Sequence, residues 1–285
     1  MKKIIYLAMS ILLAGASFSF AQTEGMFTGS LPENWSADVV ASVKYSRNHF
    51  SNWKDGGVNT NTWLLQYDAD LKGKWKVANW RNLVNLAWGQ TYTEGVGTRK
   101  SLDKIFIESL VEFNPFEKLK PYAGVRYETQ FAKGYEYTDS TKTPVSSFMD
   151  PCYLTQFAGI SYAFTEDFTQ RLAFANRMTI SKGYGYADDG STTKFESFKD
   201  EPGLESVTEF KHSFSTIMTF KTRLWAFVNF KGVDEIDGRW ENALLISLTP
   251  YLEFSLGIDL AYDKDFSEDS QYRDIMNLGL TWRWF

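Results

Sequence analysis

One cysteine and two histidines in 285 residues leave little for several kinds of chemistry. A single Cys excludes a disulfide scaffold and a multi-cysteine zinc or iron–sulfur site. Two His are too few for a histidine-based centre, so neither a metal nor a cofactor is expected. Basic residues are the minority, 30 Lys and Arg against 35 Asp and Glu, for a net charge of −5. A nucleic-acid partner needs a basic face, so none is expected. Beyond the N-terminus no stretch has the roughly 18–20 consecutive apolar residues of a spanning helix. No segment carries a helical apolar stripe over three turns. What is plentiful is aromatic: 23 Phe, 15 Tyr and 10 Trp make up 17% of the chain. With 44% hydrophobic residues and a mean hydropathy of −0.32, the chain is too apolar for disorder and too polar for a helical membrane protein.

The N-terminus has the pattern of a secretory signal peptide. Met1-Lys2-Lys3 is basic, Ile4 to Ala16 is uncharged and mostly apolar, and Ser19-Phe20-Ala21 has small residues at a cleavage spacing. Residues 1–21 are therefore expected to be removed. Residues 22–34 form an irregular periplasmic lead, and 35–285 a single domain with no linker. An exported chain of this kind is either a soluble β-protein or a membrane β-barrel.

Period-two alternation decides the secondary structure. From Leu252 to Asp263 every even position is large and apolar, and the odd positions are acidic or small. The same pattern runs through Trp63–Leu71, Ile105–Phe113, Val125–Phe131, Leu172–Ile180 and Met276–Trp284, with weaker versions near 36–48, 81–92, 152–164, 204–217, 223–231 and 240–248. That makes twelve strands. Alternation alone does not say which face points inward. Aromatics cluster near strand ends, as in interfacial girdles. Connections after odd-numbered strands are expected to be long and those after even-numbered strands short, the asymmetry of outer loops and periplasmic turns. The chain ends on an aromatic strand, where Trp282, Trp284 and Phe285 form a candidate insertion signal. The fold class is all-β: an antiparallel transmembrane barrel with both termini on the periplasmic side and no free edge in lipid.

Asn48-His49-Phe50-Ser51-Asn52-Trp53-Lys54-Asp55-Gly56-Gly57-Val58-Asn59 resembles the opening motif of an uncharacterised outer-membrane family of Bacteroidetes-type Gram-negative bacteria, filed as domain of unknown function 3078. Thr129-Gln130-Phe131-Ala132-Lys133-Gly134-Tyr135 and Ser147-Phe148-Met149-Asp150-Pro151 resemble it too, so that the resemblance extends over most of the chain that follows the signal peptide. It implies an outer-membrane barrel and carries no activity, substrate or catalytic residue.

By parity the inward acids are Asp68, Asp70, Glu108, Glu112, Glu128, Glu209, Glu241, Glu253 and Asp259, against Lys44, Arg126, Arg171, Arg177, Lys211, Lys231, Arg273 and Arg283. Near balance of sign favours a salt-bridged lumen over a strongly ion-selective one. Catalysis is not expected. His212, between Phe210 and Phe214, is the only base on the lipid-facing parity and has no neighbouring Ser there; His49 lies in the first outer loop. In that loop Asn52, Trp53, Gly56 and Gly57 suit a tight turn with an anchoring ring. Cys152 opens a strand and is expected to be buried. The loop acids Asp188, Asp189, Glu196, Asp200, Glu201, Glu268 and Asp269 lack calcium-loop spacing. The expected role is a narrow pore or a structural, partner-binding barrel; the alternatives are a lipid-modifying enzyme and a soluble exported β-protein. Expected partners are outer-membrane lipid and lipopolysaccharide, the barrel-insertion machinery and other proteins.

Overall fold

A computed structural model describes residues 31–50, 58–138, 141–188, 194–263 and 267–284, without the side chains of 233–235 and 267–268. The signal peptide, most of the lead, the Asn52–Gly57 loop motif and Phe285 lie outside the described residues. Fourteen strands follow one another: β1 (Trp35–Asn48), β2 (Thr60–Lys74), β3 (Ala78–Thr93), β4 (Gly97–Phe113), β5 (Leu119–Thr129), β6 (Gly134–Tyr137), β7 (Lys142–Ser146), β8 (Cys152–Ala163), β9 (Phe168–Ile180), β10 (Phe198–Ser213), β11 (Met218–Asn229), β12 (Gly232–Ser247), β13 (Leu252–Asp263) and β14 (Ser267–Trp284). Twelve of them close into one antiparallel barrel, each beside its sequence neighbour; β6 and β7 form a separate hairpin between β5 and β8. Closure is made by β1 against β14, from Val39 opposite Trp284 to Lys44 opposite Gly279.

The register places the side chains. Lys44, Gln66, Asp68 and Asn85 share one face with Glu108, Arg126, Arg171, Glu205, Arg223, Glu241, Asp259 and Arg273, because directly paired residues point the same way. Those side chains fill the inside. The opposite set, including Val43, Leu65, Leu172, Phe174, Leu224, Met276, Leu278 and Leu280, stays exposed around the outside. An apolar outer belt over a charged interior is the reverse of a soluble barrel and is the arrangement lipid demands. Rings crowd the rim that carries the termini: Trp35 lies edge-on to Trp75 and Trp80, each at 5.7 Å, and Phe164 stacks on Phe168 at 4.9 Å. Among the described residues no helix is long and apolar enough to cross a membrane.

Two expectations change. Long connections at the opposite, outer rim do not follow every odd strand. The segments 49–59, 130–151 and 181–197 are long, but β3 turns into β4 over 94–96 and β11 into β12 over 230–231. Residues expected in loops are instead hydrogen-bonded wall: Thr93 pairs with Gly97, and Gln90 with Lys100 across a bulge. Pairing backbone groups satisfies them where an open loop would leave that to water. Lys231 moves for the same reason. It sits in the β11–β12 turn, with Nζ donating to the Asp200 carbonyl, and not in the lumen.

The inner face is also less polar than alternation suggests. Leu110, Tyr122, Phe157, Ala173, Ala175 and Phe227 pack into one buried cluster inside the barrel, with Trp225 against it. Glycine makes room for it at Gly203, where a Cβ would come within 2.2 Å of the Val228 carbonyl and 2.6 Å of the Phe227 ring.

Candidate functional site: the filled lumen

The interior is organised around Glu108 on β4. One of its oxygens accepts from Arg126 Nε at 2.8 Å and Nη2 at 2.7 Å, and from Arg223 Nη2 at 3.1 Å. The other accepts from Arg171 Nη1 and Nη2 at 3.0 and 3.1 Å. Arg126 reaches on to Glu205, Arg171 and Arg223 to Glu209, and Arg81 links Glu209 to Asp70. Four guanidiniums thus share four carboxylates, and Lys72 adds a half-exposed cation at the Asp70 end, 3.1 Å away. Matched charge and dense hydrogen bonding are what allow charges to be taken out of water, although Arg171 Nε is buried here without a partner. Rings line the same space: the Arg223, Lys104 and Arg126 cations lie 5.1, 5.3 and 5.9 Å from the Phe106 centroid.

Several pairs cross the ring. Lys104 on β4 holds Glu241 on β12 at 2.7 Å, and those strands are diametrically opposite in the ring order. Arg81–Glu209, Arg223–Glu108, Arg239–Glu128 and Lys211–Asp38 join strands one place short of opposite. A circular barrel of twelve strands, about 4.8 Å apart and tilted about 40°, would be roughly 24 Å across. An extended Lys and Glu in contact reach about 15 Å between Cα atoms. The cross-section is therefore an oval, pressed together between β3–β5 and β10–β12.

The ends of the oval are filled as well. At one end Tyr122 and Phe157 pack at 5.7 Å. At the other, Lys44 Nζ donates to Gln66 Oε1 and Ser255 Oγ, both at 2.8 Å, with its stem lying over Gly279, where a Cβ would sit 2.4 Å from Lys44 Cγ. Every wall strand turns at least one buried residue inward: Ser42, Leu64, Ala87, Glu108, Arg126, Thr155, Arg171, Glu205, Phe227, Asp237, Ser255 and Thr281. Nearer the outer rim Arg177 pairs with Asp237 and lies 4.4 Å over the Tyr153 ring. A cavity of about 20 Å³ between Lys104, Phe106, Arg126, Glu128, Arg223, Trp225, Arg239 and Glu241 has room for about one water.

The remaining candidates are dispersed. Glu112 pairs with Lys120 near the lower rim, Arg273 with Asp259, and Arg283 with Glu253. Asp68 accepts from Asn85. Trp282 and Trp284 stand on the outer face of β14, opposite Ala41 and Val39. His212 is on the outer face among Phe210 and Phe214, with Nδ1 2.6 Å from Asp167 Oδ2. His49 is exposed. Cys152 is buried. Asp188 accepts from the Glu196 amide, Asp200 from Asn176, and Glu201 from Asn229. Asp189 and the Glu268 side chain lie outside the described residues, within which no three metal-ligating groups come together. Alternation in the sequence did not single out Arg81, Lys104, Glu205, Arg223 or Asp237. Their parity was readable, but apart from Asp70 beside Arg81 and Glu209 beside Arg223 their ion-pair partners stand on distant strands.

The second resemblance block builds the foot of the β6–β7 loop. Thr129 Oγ1 donates to the Pro151 carbonyl at 2.8 Å, Met149 N donates to Thr129 Oγ1 at 3.1 Å, and Gln130 Nε2 donates to the Ser147 carbonyl at 3.0 Å. Asp103 on β4 takes the Phe131 and Ala132 amides at 2.7 and 3.0 Å. Tyr186, in the neighbouring loop, donates to the Val145 carbonyl; burial, with Asp150 nearby, raises its phenol above the ordinary value.

Family models match both halves of the chain. Residues 45–135 match a protein of unknown function, DUF3078, the family that the sequence motifs resemble. Residues 154–284 match a second protein of unknown function, DUF481, so the first match is narrower than the motifs imply. No curated protein matches the chain. Among solved structures, it is similar to the NanC porin, with 8% identity, 86% of this chain and 99% of that one covered, and a TM-score of 0.40. An outer membrane channel from Pseudomonas putida F1 has 10% identity, coverage of 90% and 96%, and a TM-score of 0.42. The translocator domain of the autotransporter NalP from Neisseria meningitidis has 8% identity, coverage of 98% and 97%, and a TM-score of 0.41. The closed ring, the apolar belt and the charged interior make this chain an outer-membrane β-barrel.

Proposed function

We propose that the barrel is a non-enzymatic structural or partner-binding component of the outer membrane, with a lumen filled at mid-height and no standing diffusion path. The supporting observation is that each of the twelve wall strands turns at least one buried residue into the interior. An open pore would leave those positions wet, as the lumen of a wide porin is. On this reading the partners are the lipid and lipopolysaccharide around the belt and the machinery that inserts the β14 strand with its paired Trp282 and Trp284.

Planar-bilayer recording of the purified full chain tests the proposal. Wild type is expected to give no steady ohmic current. A stable conductance at low voltage, seen on every insertion, overturns the filled-lumen reading and restores the narrow pore.

A further inference from the structure

The outer belt is apolar on β13, β1, β2 and the Met276–Trp282 part of β14, where Leu256, Ile258, Met276, Leu278, Val43 and Leu65 face lipid. On β9–β12 polar side chains interrupt it, among the exposed Leu172, Phe174, Leu204 and Leu224. Gln170 Nε2 donates to Ser206 Oγ at 2.9 Å, and Thr208 Oγ1 donates to Gln170 Oε1 at 2.5 Å. Thr222 Oγ1 donates to Asn242 Oδ1 at 2.8 Å, and Trp240 Nε1 donates to Thr222 Oγ1 at 2.8 Å. All of these residues have the lipid-facing parity, since Thr208 pairs with Gln170, Thr222 with Asn242, and Trp240 with Leu224. Trp240 turns its indole N–H toward Thr222 in the wall. One row further, Ser206, Ala226 and Gly238 stand side by side across three strands and leave the surface shallow.

Polar side chains facing hydrocarbon are costly, and small residues with hydroxyls and carboxamides are what membrane-embedded contacts between proteins use. The internal bonds do not exhaust this group: Asn242 keeps one amide hydrogen after donating to the Ile258 carbonyl, and Ser206 keeps its hydroxyl hydrogen. Lipid tails accept neither. Carboxamides and hydroxyls are each donor and acceptor, so the patch complements itself, and it holds no charge that would call for an oppositely charged partner. Four strands about 4.8 Å apart and about ten residues long at about 3.3 Å give roughly 600 Å² per copy. Two copies would bury about 1,200 Å², the lower bound of a stable interface. We infer that the β9–β12 wall is a homodimer interface in the membrane, with a second copy of this chain across a two-fold axis.

Native mass spectrometry of the full chain from phospholipid nanodiscs, with heat-modifiable gel migration as the check on folding, tests the inference. Wild type is expected as a dimer, and Thr222→Val with Asn242→Leu as a folded chain with a dimer dissociation constant at least tenfold higher. In proteoliposomes a short bis-maleimide is expected to join copies carrying Ala226→Cys and not those carrying Val84→Cys on the far wall. A monomeric wild type, a double variant that dimerises as tightly as wild type, or equal cross-linking at both positions overturns the proposal. A monomer that pairs only with a different protein counts among those overturning results.

Discussion

Replacing Glu108 by Gln keeps the volume of the side chain and removes one negative charge from between three guanidiniums. Glu108 is 1% exposed, and its two oxygens take five donor contacts from Arg126, Arg171 and Arg223 at 2.7–3.1 Å. Breaking a buried ion pair from one side costs about 3–5 kcal/mol, because the partner charge is left uncompensated. Here three arginines lose their shared acceptor, and the Gln amide would turn N–H groups toward N–H groups. Glu112 offers a comparator on the same strand and the same face. Its contact with Lys120 is 3.7 Å long between side chains 20% and 23% exposed, so Glu112→Gln is expected to cost at most about 1 kcal/mol. The assay is guanidinium unfolding from phospholipid vesicles, followed by the fluorescence of the ten tryptophans. Glu108→Gln should lower the folding equilibrium roughly 100- to 5,000-fold, at about 1.4 kcal/mol per decade. Adding Arg223→Gln should recover part of that loss, with a coupling energy of about 0.5–3 kcal/mol. If Glu108→Gln and Glu112→Gln cost the same, the lumen network does not hold the wall together and the account given above is wrong.

Leu256→Arg places a charge on the lipid face and is expected to cost about 2–4 kcal/mol, whereas Ser255→Asp meets Lys44 and should insert normally; similar losses of heat-modifiable protein for both would contradict the register. Asp103→Ala removes a carboxylate that is 2% exposed and holds two loop amides and Lys100. Protease cleavage between 130 and 151 should accelerate roughly 10- to 100-fold with the barrel intact, and an unchanged rate would show that the loop is anchored elsewhere. Incubation with phospholipid vesicles should leave the lipid unhydrolysed. Hydrolysis abolished by His212→Ala would instead make the His212–Asp167 pair catalytic.

Alternation made the strands legible because one face of each must satisfy lipid and the other a polar interior. Where both faces are apolar that signal fades. Ile105-Phe106-Ile107 and Trp225-Ala226-Phe227-Val228 read as unbroken apolar runs, so the inward rings of Phe106, Trp225 and Phe227 could not be told from lipid-facing ones. The ends of β4 and β14 were also hidden. Gly97–Ser101 and Ser267–Gln271 have the composition of loops, yet they continue the wall, because neighbouring strands offer them backbone partners. The ion-pair partners were beyond reach for a different reason. Local parity says that Lys104 and Glu241 both point inward, but whether they meet depends on how far the ring is flattened. That is a property of all twelve strands together.

The charges inside the barrel and the apolar belt outside it solve one problem jointly. A strand that is apolar on both faces has no reason to keep its register, since a slip by one residue exchanges the two faces at little cost. With Arg126 and Glu128 alternating with Val125 and Tyr127 on β5, a slip would put a guanidinium into hydrocarbon and strip Glu108 and Glu205 of their partner. Buried ion pairs add little net stability over a well-packed apolar core. Their effect here is on specificity: they make every wrong register expensive. The same reasoning explains why the rings of the inner cluster stand beside arginines and not by themselves. Tyr122, Phe157, Phe227 and Trp225 exclude water from the guanidiniums, and the guanidiniums keep those strand faces from being mistaken for lipid-facing ones.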